Sequence, residues 1–233
     1  MERLRGSGLE KLDRPTEDPA ELRTSLLDLA RLNRLFGGTR AILSEIERVW
    51  RERRLRGPIW ALDAGCGAAD VLQALSEWGR RQNVEVRAFG CDLQAPVLAV
   101  AADLLRNGRR PALVRANAAQ PPFRPESFDV VTCSLLLHHL SEAEVVSVLR
   151  RLKELARHEL IVCDLERSPL ARLGVRLAAR AVCQSPWTHH DAAISVRRAY
   201  TLQELRTLSE QADCAGMRWR RGPLFRLTGV LER

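Results

Sequence analysis

At 233 residues, with 45% apolar and 28% charged content, the chain can fill one hydrophobic core and is too apolar for a disordered segment. Its net charge of +8 comes almost wholly from arginine, since only Lys11 and Lys153 stand among 37 basic residues. The arginines are scattered, so the charge reads as compositional bias more than as a phosphate-binding design. No apolar run approaches the ~20 residues of a membrane span and the first residues lack a signal-sequence core, so a cytoplasmic protein without a membrane span is expected. The six cysteines form no C-x-x-C pair, which favours free thiols over disulfides or a metal site.

Residues 1–18 carry Gly6, Gly8 and Pro15 without periodicity and are expected to fray. Pro19 opens a helix with Leu22, Leu26, Leu29 and Leu32 near one face, stopped by Gly37-Gly38. A second helix, 39–54, sets Ile42, Leu43, Ile46, Val49 and Trp50 in an amphipathic stripe suited to packing on a sheet. The earlier helix is left free to lie over a ligand mouth as a lid. The densest basic cluster, RERRLR at 51–56, falls at the exposed end of the second helix and reads as a solvated face.

From residue 59 onward strands and helices alternate, which predicts an α/β fold with a mostly parallel, doubly wound sheet covered on both faces. Strands are expected at 59–64, 84–91, 112–115, 128–133 and 158–164, with two more in 217–232 closing the sheet as an antiparallel hairpin, seven in all. Ser141-x-x-Glu144 and Thr201-x-x-Glu204 are capping boxes that start helices. The organisation predicted is an N-terminal extension with lid helices over 1–56 and one domain over 57–233. Within that domain the insertion 168–200 should cover the C-terminal ends of the strands, where open α/β sheets bind ligands.

The most informative stretch is 59–67, IWALDAGCG, an apolar strand that ends in Asp-x-Gly-x-Gly. Glycines allow a tight turn with positive φ and a close ligand approach. At the distance of one βαβ unit follows Asp92, whose carboxylate can accept hydrogen bonds from both hydroxyls of a ribose. A dinucleotide site would place a third glycine where this chain has Asp70, and an anion there repels a diphosphate. It does not repel a sulfonium and an ammonium, and Asp63 adds another carboxylate near them.

At these residues the chain resembles the class I S-adenosylmethionine-dependent methyltransferases. LDAGCG matches their first motif and Asp92 their ribose-binding acid. Asn117-Ala118 matches the pair set against adenine, and FDVVTCSLLLHHL at 128–140 their fourth strand with the turn after it. The resemblance runs from about residue 59 to the C-terminus. It implies a Rossmann-like fold, S-adenosyl-L-methionine as cofactor, and a cofactor site of Asp63, Gly65, Cys66, Gly67, Asp92, Leu93, Asn117, Ala118 and Ser134. No metal is implied. The turn after the fourth strand and the cover after the fifth are most similar to the small-molecule branch of quinone-biosynthesis and phenolic-lipid type. A phenolic, quinol or polyketide-derived acceptor is therefore expected, with nucleic acid disfavoured. Cys133-Ser134-Leu135-Leu136 lacks the Asx-Pro-Pro-aromatic run of base amino-methylation, and Cys133 follows Thr132 where a carbon-5 methylase cysteine follows proline. An RNA- or ribosome-associated methyltransferase or binding protein is the alternative that the positive charge keeps open.

Methyl transfer to a phenol requires loss of a proton, and imidazole is a suitable base near neutrality. Of the five histidines, His158 falls at the far end of the fifth strand. His190, with Asp191 able to orient its ring, is the first candidate for general base, and His139 and His138, at the ligand edge after the fourth strand, are the second. Each pair has a plain structural role as its alternative: packing beside the cofactor for His138-His139, a self-bonded loop for His190-Asp191. Trp187 is placed either in the core or against a flat substrate, and Arg197 and Arg198 either in solvent or against an acidic group.

Overall fold

The structure, a computed structural model, describes residues 5–6, 8–13, 18–105 and 111–233. Seven strands form one sheet in the order β3-β2-β1-β4-β5-β7-β6. They are β1 (Ile59–Ala64), β2 (Val86–Asp92), β3 (Ala112–Arg115), β4 (Phe128–Ser134), β5 (Ala156–Leu165), β6 (Arg218–Arg221) and β7 (Arg226–Glu232). The first five pair in parallel, and β7 joins β5 and β6 antiparallel, as the sequence led one to expect.

Side chains alternate across a pleated strand, and here both sets are apolar because both faces are covered. Leu62, Ala64, Val131, Cys133, Leu160 and Val162 face one core, shared with Val145, Leu149 and Leu152 of α5 (Glu142–Leu155) and Leu205 of α8 (Leu202–Gln211). Ile59, Ala61, Val130, Ile161 and Cys163 face the other. That core is shared with Ile42, Ile46 and Val49 of α2 (Gly38–Glu52) and with Val71, Leu75 and Trp78 of α3 (Asp70–Gln82). Both capping boxes are present, at Ser141 and Thr201. All six cysteines are free and buried. Among the described residues no helix is long and apolar enough to cross a membrane.

Above the C-terminal edge of the sheet lies a second layer. Helix α1 (Pro19–Leu35) crosses it together with α6 (Pro169–Val182) and α7 (Pro186–Arg198), and α4 (Ala95–Leu104) borders it. Leu32 and Phe36 meet Leu165, Val175, Ala192 and Val196 there. Leu22 and Leu26 meet Val97, Val100 and the partly buried Trp187, so that indole packs in the core. Two expectations need correction. The stretch around His190 is a helix, not a loop: Pro186 occupies its first turn and the Ser185 side chain accepts from the amides of Trp187 and Thr188. The N-terminal segment does not fray over its described part. Residues 5–6 and 8–13 form a strap across α7, with Gly6 N donating to Arg197 O at 2.9 Å and Lys11–Asp13 closing a 3-10 turn. Residues 1–4, 7 and 14–17 of the stretch expected to fray lie outside the described residues.

Candidate active site

The glycine turn takes the shape its sequence requires. Gly65 has φ +71° and Gly67 φ +49°, both left-handed, and a Cβ on Gly67 would stand in open space. A Cβ on Gly65 would come within 3.0 Å of Leu136. At the end of the neighbouring strand, Asp92 accepts from Gly67 N at 3.1 Å and from Gln94 N at 3.0 Å. The acid is thereby fixed beside an open cradle, the arrangement that an adenosine with a close backbone approach needs. Asn117 Oδ1 accepts from Ala119 N at 2.9 Å, an Asx turn that shapes the loop after β3.

These groups border a cavity of about 400 Å³, lined on the β2–β3 side by Gly65, Gly67, Asp92, Leu93, Gln94, Asn117 and Ala118. Leu26, Leu29, Leu32, Phe36, Leu135, Leu165 and Val175 give it largely apolar walls. Asp63, Cys66 and Ser134 lie beneath this lining. Asp63 is buried and accepts from Thr132 Oγ1 at 2.7 Å. Burial, with the charges of Asp70 and Asp92 nearby, pushes its carboxyl up to about 8. Burial also pushes the Cys66 thiol far above its ordinary range, which removes it as a nucleophile. Ser134 Oγ is buried without a partner.

The polar wall of the cavity is built from Glu10, Asp13, His138, His139, Asp191 and Ser195. His138 Nδ1 lies 2.6 Å from Asp164 Oδ1, and His139 Nδ1 lies 2.8 Å from Asp13 Oδ1. Burial alone would raise both carboxyls. The His138 ring for Asp164, and the His139 ring with the Arg198 guanidinium for Asp13, hold them below the usual carboxylate range instead. An ionised carboxylate only accepts, so each Nδ1 carries the hydrogen of its bond, and it is the neutral form of each ring that presents a lone pair at Nε2. Both Nε2 atoms stand 4.0 Å from the buried Glu10 carboxylate, whose Oε1 has no hydrogen-bond partner. Burial lifts the Glu10 carboxyl above its ordinary range.

Glu10, His138 and His139 bring three metal-type ligand atoms within 4.8 Å of one another. The two imidazoles pack against each other at a tilt, with centroids 4.2 Å apart and planes 38° apart. The Arg198 guanidinium sits 3.8 Å from Glu10 as well. This geometry suits proton transfer and hydrogen bonding better than an ion.

His190, the first candidate base, does not line the cavity. It is half exposed on α7, with Nδ1 2.7 Å from Asp191 Oδ1. Asp191 is buried and faces inward, where its carboxylate accepts from Lys11 N at 2.9 Å and Leu12 N at 3.2 Å. It is therefore the clasp of the strap. Arg198 is likewise buried, not solvated: it pairs with Asp13 and donates to His139 O at 2.8 Å. Arg5 donates to His138 O at 2.8 Å with its guanidinium 4.0 Å above the Tyr200 ring. Glu10, Asp13, Gln94 and Arg226 are lining residues that sequence reasoning missed. A single arginine inside the apolar run LFRLTGV was the one available signal among them.

Two outcomes follow from these contacts. Asp191→Ala should release the strap, so that trypsin cuts after Lys11 at least tenfold faster in limited proteolysis. Unchanged cleavage would show that the clasp lies elsewhere. For Asp63, the folded protein keeps a proton that the unfolded chain loses near ~3.9. Stability should therefore fall as pH rises from about 4 to about 8, with a slope approaching ~1.4 kcal/mol per pH unit from this group. Urea unfolding of Asp63→Asn across that range should show the slope reduced.

The family described as a methyltransferase domain matches residues 61–159, from within β1 to within β5. Over 172 residues, 69% of each chain, the sequence is 28% identical to the demethylmenaquinone methyltransferase of Roseiflexus sp. (strain RS-1). In fold it is similar to a SAM-dependent methyltransferase from Aquifex aeolicus, with a TM-score of 0.57, 18% identity and coverage of 93% of this chain and 99% of that one. The magnesium protoporphyrin IX methyltransferase of Synechocystis PCC 6803 with bound SAH gives a TM-score of 0.55 at 16% identity over 84% of this chain and 83% of that one. With the glycine cradle and its clamped acid in the place these matches span, residues 61–159 form a methyltransferase domain, and the chain is similar to S-adenosylmethionine-dependent methyltransferases in sequence and fold.

Proposed function

We propose that this enzyme methylates a small, largely apolar acceptor with an ionisable hydroxyl, of the phenol or quinol kind, and that His139 is its general base. The observation that carries this reading is the cavity itself: a cofactor cradle, apolar walls, and a wall of carboxylate-oriented imidazoles meet in one space of about 400 Å³. Flat aromatic acceptors suit such walls, and the relative from Roseiflexus is named for demethylmenaquinone. Several arginines that might have served nucleic acid are engaged inside the chain, Arg48 with Glu45, Glu52 and Glu159 and Arg167 with Glu204.

Asp92 is proposed to hold the ribose hydroxyls. Gly65 and Gly67 would admit the amino-acid part, and Leu93, Asn117 and Ala118 would flank the adenine; Asp63, buried off the lining with its carboxyl raised to about 8, keeps its proton near neutrality and supplies no charge to the sulfonium. Bound S-adenosylmethionine supplies a methyl group on a sulfonium, whose carbon–sulfur bond breaks as the new bond forms, leaving S-adenosylhomocysteine. The chain's own part is to position the acceptor and take its proton. His139 Nε2, freed by the Asp13 bond at Nδ1, accepts the hydroxyl hydrogen and later returns it to water. Deprotonation enriches the oxygen and the ring carbons ortho and para to it, so the same base serves oxygen or carbon methylation. His138, more deeply buried than His139, positions that ring by packing against it at 4.2 Å between centroids.

In Asp92→Ala the ribose loses an acceptor whose charge-assisted bonds contribute on the order of 1.5–3 kcal/mol each. Calorimetry should show S-adenosylhomocysteine binding weakened at least tenfold. Unchanged affinity in a folded variant would sink the assignment. His139→Ala should lower turnover ~10²–10⁴-fold while cofactor affinity stays within threefold, and added imidazole should restore part of the rate. Full activity without His139 would move the base elsewhere, with His190 next to be tested.

A further inference from the structure

The most anomalous charge in the molecule is Arg226, the first residue of β7. Its side chain is 3% exposed, and its Nε and Nη1 are buried with no hydrogen-bond partner among the described residues. Burying a guanidinium with two of its three nitrogens unpartnered is strongly unfavourable, because those N–H groups have lost water and gained no acceptor in return. The neighbourhood does not relieve it. Phe36 lies with its ring centroid 6.0 Å from the guanidinium carbon, and Asp70 and Asp164 act only through space. Asp70 is already engaged by Asn33 Nδ2 at 2.9 Å and Thr39 Oγ1 at 3.2 Å, and Asp164 by His138 and the amides of Leu137 and Leu165.

Arg226 also lines the cavity, among Phe36, Leu135, Leu165 and Val175. Low-dielectric walls make an ion pair formed there strong, and a planar fork of donors fits a carboxylate with two parallel hydrogen bonds. The backbone holds the residue in register, paired with Leu165 of β5 and accepting from Gly222 N at 2.7 Å. We propose that Arg226 anchors a carboxylate group in this cavity. Two sources carry that chemistry, the methionine carboxylate of the cofactor and a carboxylate borne by the acceptor. The inference rests on the methyltransferase reading for what fills the cavity, but not for the need of an anion.

The test compares the wild type with Arg226→Met, of similar length and without charge, by calorimetry with four probes: S-adenosylhomocysteine, 5′-methylthioadenosine, a 6-alkylsalicylate and the matching 3-alkylphenol. If the carboxylate is the cofactor's, the variant binds S-adenosylhomocysteine at least tenfold more weakly and 5′-methylthioadenosine, which lacks the amino-acid part, as well as before. If it is the acceptor's, S-adenosylhomocysteine is unaffected and the salicylate loses at least tenfold while the phenol does not. In either case the ligand-free variant should melt no lower than the wild type, and Arg226→Lys should recover part of the lost affinity. Equal binding of both carboxylate-bearing probes by wild type and variant would overturn the proposal, as would a clearly lowered melting temperature of ligand-free Arg226→Met, which would mean that the guanidinium has a structural partner. A wild type that binds no S-adenosylhomocysteine would instead refute the cofactor assignment and leave the salicylate arm to decide on Arg226.

Discussion

The backbone amides of Gly65 and Cys66 both donate to the carbonyl of Cys91, at 2.8 and 2.9 Å, and the rest of the site is hung on that clamp. It holds the turn after β1 against the end of β2. The parallel register that pairs Ala64 with Cys91 then fixes how far Asp92 stands from the glycines. Gly67 N and Gln94 N complete the fixation by occupying one oxygen each of the Asp92 carboxylate. A ribose-binding acid on a mobile loop would have to be ordered by its ligand; here the ordering is already done by the sheet. The clamp reaches further, because the Gln94 side chain donates to Leu12 O at 3.0 Å and so ties the cofactor side of the cavity to the strap.

Burying charge is costly unless it is paired, and the polar wall shows how the chain meets that demand. Asp164 bonds the His138 ring and three backbone amides, Asp191 bonds two more, and Arg198 bridges Asp13 to a carbonyl. These pairs join segments from the N-terminus, β5, α7 and the turn after β4, so they assemble the wall as well as satisfy it. Satisfaction is incomplete at seven buried side-chain atoms among the described residues. Glu10 Oε1 and the Arg226 Nε and Nη1 belong to residues that line the cavity, whereas Asn33 Oδ1, Trp78 Nε1, Ser134 Oγ and Glu159 Oε2 belong to residues that do not. The two at the cavity are ionisable groups, the ones for which an unmet demand costs most.

The glycine turn and the acid beyond it, the proposed cofactor half, were legible in the sequence because their signals are local. A glycine turn, a following acid and strands of one apolar type are each written within a few residues, and the alternation of elements fixes their order. The parallel sheet with its antiparallel end was legible for the same reason. The acceptor half was not, since its groups meet only in the folded chain. Asp13 reaches His139, and Asp191 reaches Lys11 and Leu12, across most of the sequence. No periodicity in residues 1–18 announces a strap. In His190-Asp191, on helix α7, the acid does bond its neighbour's ring, Nδ1 to Oδ1 at 2.7 Å, but the carboxylate is buried while the imidazole stays half exposed, away from the cavity. The helix itself could have been read from Ser185-Pro186, a cap followed by the residue that best tolerates a first turn.

The strap also bears on when the proposed chemistry is possible. His139 presents its Nε2 lone pair because Asp13 holds the hydrogen at Nδ1, and Asp13 belongs to the strap. With the strap away, nothing among these contacts would favour that tautomer, and Glu10 would leave the wall too. Arg198 would then face the site with its carboxylate partner gone. Closure thus sets the protonation pattern of the base at the same time as it excludes water, two conditions that proton abstraction from a weakly acidic hydroxyl requires together. The clasp at Asp191 is where that coupling is held: a single buried carboxylate on α7, fastening the backbone just ahead of the residue that orients the base.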